Sequence, residues 1–199
     1  MTKNKTTSEF FKENYSLSWK FLKESRKSIY TIALVFLAFA LIGFFVEMPD
    51  YISLQIIQML EEIVARTQGL SGFGIIKFIF LNNIQSSILG LVLGILIGIF
   101  PVFFAAFNGY ILGFVLFLSI QSGGVLELWK IFPHGIFELP AIFIALGIGL
   151  RLGMQALRRG KKNSFKSFIL DAGRTFVFVV IPLLAIAAII EGILISLLR

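Results

Sequence analysis

The chain has 199 residues, of which 57% are hydrophobic and 15% charged, with 23 phenylalanines and a mean hydropathy of +0.92. Soluble domains carry about 25% charged residues, so the composition excludes a water-soluble fold and predicts an all-α, polytopic membrane bundle with no sizeable second domain. There is no cysteine, which excludes disulfides and thiolate chemistry, and the net charge of +7 falls on residues flanking apolar runs, where it reads as topology and not as nucleic-acid binding.

Residues 1–28 form a polar N-terminal segment, and the rest of the chain, 29–199, reads as a single transmembrane domain. From Glu9 to Lys27 the apolar residues Phe11, Tyr15, Trp19 and Leu22 recur at helical spacing among lysines. That pattern predicts an amphipathic helix at the membrane interface, the alternative being a solvated lead-in helix. About 28 polar residues precede the first apolar run with no small-residue cleavage site close behind it, so the first span is expected in the mature protein.

The first span is Ile29 to Val46, uncharged and long enough to cross hydrocarbon at 1.5 Å per residue. Residues 47–74 follow as a loop holding a helix over Ser53 to Arg66. The long apolar stretch 75–120 is broken by Pro101 and by Asn108-Gly109, which predicts two spans at roughly 78–100 and 104–120. A fourth span covers about 133–153 and a fifth 175–198, where Pro182 is expected to kink the helix.

With the N-terminus inside and the C-terminus outside, residues 1–30 and 151–174 place fourteen of the eighteen Lys/Arg residues on the cytoplasmic side. That is the asymmetry the positive-inside rule demands, and it predicts a multi-pass cell-membrane protein with a cytoplasmic N-terminus. Asp171 is expected either to pair with Arg174 or to cap the fifth span.

Lipid offers no hydrophobic drive between helices, so close backbone approach must pack them. Ser86, Gly90, Gly94 and Gly98 recur at four-residue intervals and predict a groove on the second span. Packing within the chain is the plain reading of that groove, and homo-oligomerisation is its alternative.

Polar residues expected at membrane depth are few. Asn82, Asn83, His134, Glu138 and Glu191 fall on three predicted spans near one depth, in the outer half of the bilayer, and form a predicted intramembrane cluster. In "PHGIFELP", Pro133 suits a first helical turn, His134 and Glu138 share a face at i,i+4, and Pro140 frees the carbonyl of Ile136. Four roles compete for this cluster: a pathway or proton relay, a polar knot fixing helix rotation, a metal site, and hydrolysis. A lone histidine makes a poor zinc set, and no HExxH motif accompanies it, so no metal, cofactor or catalytic residue is expected.

The segments "NN" (Asn82, Asn83), "FNGYILG" (Phe107 to Gly113), "PHGIFELPAIFIALGIGLRLG" (Pro133 to Gly153) and "IIEG" near the end carry a further signal. Through them the chain resembles the stage II sporulation protein M family over about residues 20–195. The resemblance implies a five-span integral membrane protein, with motif positions at Asn82, Asn83, Asn108, Gly109, Pro133, His134, Gly135, Glu138, Pro140 and Glu191. It also implies partners: in spore formers the family member works with a membrane-anchored peptidoglycan hydrolase and a third protein. The expected function is a non-enzymatic membrane scaffold or partner subunit, and the alternative is a transporter or channel component with a His/Glu proton or ion site.

Overall fold

The computed structural model describes residues 6–46, 49–94, 98–124, 132–157 and 162–198, with the side chains of residues 132–134, 162–164 and 198 outside the description. The described residues are helical throughout and contain no strand. The helices are α1 (Thr7–Phe45), α2 (Asp50–Thr67), α3 (Gly72–Leu93), α4 (Ile99–Gly123), α5 (Phe132–Leu157), α6 (Lys162–Thr175) and α7 (Ile181–Leu198). A π-helical turn, Phe176–Val180, joins α6 to α7. Five helical stretches are long and apolar enough to cross a membrane: α1, α3, α4, α5 and the run Phe165–Leu197.

The expected interfacial helix and first span are one unbroken helix of 39 residues, about 58 Å long. A capping box starts it: the Glu9 amide donates to Thr6 Oγ1 (3.3 Å), and the Thr6 amide donates to Glu9 Oε2 (3.0 Å). One buried stripe (Ser18, Phe21, Ser25, Ser28, Ile32, Phe36, Gly43) runs its length, so polar and apolar halves share a single packing face. The polar half lies against α6 and the π turn. There Phe21 meets Phe168 edge-on at 5.0 Å, and Phe10, Phe11 and Tyr15 surround Phe178.

Arg151 pins this end of the bundle. Its guanidinium sits 5.0 Å from the Phe21 ring and 5.1 Å from the Phe168 ring while donating to Ser25 Oγ (2.8 Å) and Glu24 Oε2 (3.2 Å). A planar, weakly hydrated cation suits a place against such a ring pair where a lysine ammonium does not. Arg174 pairs with Asp171, as one of the two expectations had it, and also donates to Asn14 Oδ1 on α1 (3.0 Å). The π turn ends just before Pro182, whose ring would otherwise strike the carbonyl one turn back; widening that turn absorbs the conflict.

The second span's helix ends at Leu93 and the third's begins at Ile99, earlier than the expected boundary at 101–103. Pro101 therefore lies inside α4, in its first turn, where a missing N–H costs nothing. Asn108 and Gly109, expected to break the stretch, sit in the middle of that helix. The four-residue register of small groups is also altered. Ser86 is exposed and Ser87 buried, Gly90 and Gly94 face α5, and Gly98 leaves the helix with φ of +73°, which only glycine adopts cheaply.

Glycine contacts organise the bundle. A methyl group added at Gly109 or Gly113 would collide with the backbone carbonyls of Phe36 or Ala40, and one at Gly43 with that of Tyr110, so α1 and α4 touch backbone to backbone. Gly94, Gly149 and Gly153 do the same for α3 and α5, Gly147 meets Ile29, and Gly192 meets Ile76 to join α7 to α3. Outward-facing residues such as Leu34, Leu41, Leu81, Ile88, Phe103 and Ile189 are large, apolar and exposed, as a lipid-facing surface requires.

Two glycines separate propensity from packing. Gly113→Val drives a branched side chain into the Ala40 carbonyl, and overpacking of this kind costs about 1–3 kcal/mol or more. Gly173 in α6 has nothing within 4 Å, so Gly173→Ala gains up to about 1 kcal/mol of helix propensity. The melting temperature in detergent should fall clearly for the first and hold or rise for the second; equal stability of Gly113→Val and wild type would refute the α1–α4 contact.

Candidate functional site

Two tight pairs, α1 with α4 and α3 with α7, lean on α5 from either side. Although consecutive in the chain, α3 and α4 meet little along their length. Between them lies a cavity of about 670 Å³. Most of its wall is apolar and comes from α1, α3, α4 and α5, with Phe36, Phe78, Leu112 and Ile142 among the contributors. Helix α2 crosses one end and contributes Leu60 and Ile63, while Ile56 on the same helix is buried beside them.

Five polar side chains line this space: Asn82 and Asn83 from α3, Asn108 from α4, Glu138 from α5 and Glu191 from α7. Helix geometry sets their depth. Glu138 is six residues into α5, about 9 Å along its axis, and Asn82 and Asn83 lie near the midpoint of α3, about 15 Å from its start. The asparagines are deeper than expected because the second span starts at Gly72 and not near residue 78.

Of the five expected cluster residues, Asn82, Asn83, Glu138 and Glu191 share the cavity. His134 lies in the first turn of α5, but its side chain, like that of Pro133, is outside the described residues. Gly135 lines the cavity as well. Pro140 is exposed and α5 continues through it, so the free Ile136 carbonyl is accommodated within an unbroken helix. Asn108 was expected at a break between spans, so its place in the wall was missed. It emerges only once α4 is seen to start at Ile99, which puts Asn108 one turn past Phe104, whose carbonyl takes a 2.8 Å hydrogen bond from its amide.

The polar groups face the space and do not bond to one another. Among the described residues, neither Glu138 nor Glu191 has a hydrogen bond or ion pair, and Asn83, only 9% exposed, has no hydrogen-bond partner. A polar knot holding three helices in rotation would need mutual bonds. These groups are arranged as the lining of a container. Also among the described residues, no three His, Cys, Asp or Glu side chains gather as a metal-type set.

Five apolar spans and a largely apolar cavity among them, lined by a few polar groups, define a multi-pass α-helical membrane protein with a pocket between its helices. The family model described as stage II sporulation protein M matches residues 31–194, and the chain belongs to that family. No curated protein and no solved structure matches it.

Neutral replacement of the two acids checks whether they bind or brace. Carboxyls in an apolar cavity without partners among the described residues cost stability, so Glu138→Gln and Glu191→Gln should each hold or raise the melting temperature in detergent. A drop of several degrees in both variants would mean that the carboxyls brace the helices.

Proposed function

We propose that this protein is a non-enzymatic subunit of a membrane complex, seated in the cell membrane with its N-terminus in the cytoplasm, that holds partner proteins at its α2 face. The orientation rests on the basic residues of segments 1–30 and 151–174, the described ones of which lie at one end of the bundle. Arg151 and Arg174 both contact α1 there. The opposite end carries α2 with Asp50, Glu61 and Glu62. The partners this reading favours are envelope-remodelling proteins, by the family resemblance a peptidoglycan hydrolase complex.

The observation that carries the reading is the character of α2. It is an amphipathic helix joined lightly to the bundle, with Ile56, Leu60 and Ile63 turned to the body and Tyr51, Leu54 and Val64 exposed. The Glu62–Arg66 pair at 2.7 Å is solvent-exposed and contributes little to holding it. A helix that presents apolar anchors outward beside acidic groups has the composition of a protein-binding surface.

Cavity-lining carboxyls favour a second reading, a transport-type subunit that moves protons or small cations past Glu138 and Glu191. Purified protein in liposomes separates the two: a cation or proton flux abolished by Glu138→Gln supports transport, and its absence leaves the partner-holding reading.

The partner-holding reading is checked at α2. In cells co-expressing a membrane-anchored peptidoglycan hydrolase, the double variant Leu54→Arg, Val64→Arg should lose most of the affinity capture seen with wild type. Its melting temperature should stay within about 2 °C, because both side chains are exposed. Undiminished capture would remove α2 as the docking surface.

A further inference from the structure

We infer that the cavity is a binding site for a lipophilic amine, an organic cation whose ammonium group lies between Glu138 and Glu191 and whose hydrocarbon part fills the apolar remainder. The inference rests on the cavity and not on the partner-holding reading, and it needs no transport.

Size decides first. At about 30 Å³ per water molecule, 670 Å³ would take about twenty waters, far more than a single ion with its shell and far more than a mainly apolar wall would hold. The volume falls within the about 300–1,000 Å³ range of pockets for organic ligands, which combine apolar walls with a few placed polar groups.

Charge decides second. Two carboxyl groups from different helices, α5 and α7, meet at the cavity with no cation from the described residues beside them. Lys77, on α3, is exposed. A ligand bearing positive charge and N–H donors supplies what they lack, whereas an anionic or purely hydrocarbon ligand does not.

Asn83 is the independent sign of a ligand. Its side chain is nine-tenths buried, lines the cavity and has no hydrogen-bond partner among the described residues. Its carboxamide opens onto the cavity, where a hydrogen-bonding ligand can pair with it. Asn82 and Asn108 add acceptors nearby, the latter with its amide already donated to Phe104 and its carbonyl oxygen unused. The ligand's far end would lie against Leu60 and Ile63, so α2 closes the site.

The shared chemistry, an ammonium on an apolar chain, has two sources: a free lipophilic amine, or the ammonium headgroup of a membrane aminophospholipid. The test uses the full chain in phosphatidylcholine nanodiscs and reads the melting temperature with dodecylamine, dodecanol or dodecanoate added below their micellar range. A parallel series replaces part of the phosphatidylcholine with phosphatidylethanolamine. Dodecylamine at about ten times its dissociation constant should raise the melting temperature by about 3 °C or more, with dodecanol and dodecanoate giving less than a third of that. The rise should vanish in Glu138→Gln, Glu191→Gln. Should that double variant fail to fold, Ile142→Trp, which fills the apolar part of the cavity, should cut the apparent affinity at least tenfold instead. A rise with dodecylamine alone assigns a free amine, and a rise with both dodecylamine and phosphatidylethanolamine assigns the lipid headgroup. Equal stabilisation by dodecanol, or a dodecylamine effect unchanged in the folded variants, overturns the inference.

Discussion

Backbone-to-backbone contact between helices is the interaction on which the rest of this structure depends. Inside a bilayer, burying leucine against leucine gains little, because lipid chains are as apolar as the side chains they replace. What remains is dispersion at short range and the contacts that close approach permits. Gly109 and Gly113 bring α4 onto the carbonyls of α1, and Gly94, Gly149 and Gly153 bring α3 onto α5. These contacts also create the cavity. With α1 held to α4 and α3 held to α5 and α7, α3 and α4 meet little along their length, and the space between them stays open. The gap is thus a consequence of where the glycines fall and needs no long side chains to hold it open.

Polar groups then follow a consistent placement. Each costs free energy if turned to lipid, and Asn82, Asn83, Asn108, Glu138 and Glu191 turn instead to the cavity. At the other end of the bundle the treatment is different. Arg151 lies against the edge-to-face pair of Phe21 and Phe168 and is hydrogen-bonded to Ser25 and Glu24, so its charge is matched in place. One end carries satisfied charge that fixes α1, α5 and α6 together; the cavity carries two carboxyls and the Asn83 amide without hydrogen-bond partners among the described residues. That contrast between a bolt and a receptacle, made with the same few residue types, is the strongest structural argument that the cavity acts on something outside the chain.

Much of the architecture was legible from residue patterns, for physical reasons that can be named. Spans are signalled by about twenty apolar residues in a row, and all five helices of that kind are present. Boundaries were less visible where no charge marks them. No charged residue stands between Leu93 and Ile99 or close to either side, so Asn108-Gly109 looked like a turn and hid the place of Asn108 in the cavity wall. The continuity of α1 was obscured too, because its outward face changes from lysine-rich to leucine-rich while its buried stripe does not change. Arg151 shows the limit from the other side. Its charge is plain in the sequence, yet its ring partners lie 130 residues away at Phe21 and 17 residues away at Phe168, a pairing that only the tertiary fold creates.

Helix α2 links the two functional ideas, since its inner face closes the cavity and its outer face carries the exposed anchors. Few contacts tie it to the bundle, so its position is governed by a small free-energy difference. An occupant that touches Leu60 and Ile63 adds to the closed arrangement and to nothing else. By linkage, a partner that prefers α2 in that arrangement must bind the occupied protein more tightly, and the occupant must in turn bind the partnered protein more tightly by the same factor. The size of that factor is bounded by the contact the ligand makes with α2 alone. Two apolar side chains supply at most a few kcal/mol on burial, enough to bias a loosely held helix and too little to rearrange the glycine-bound spans beneath it.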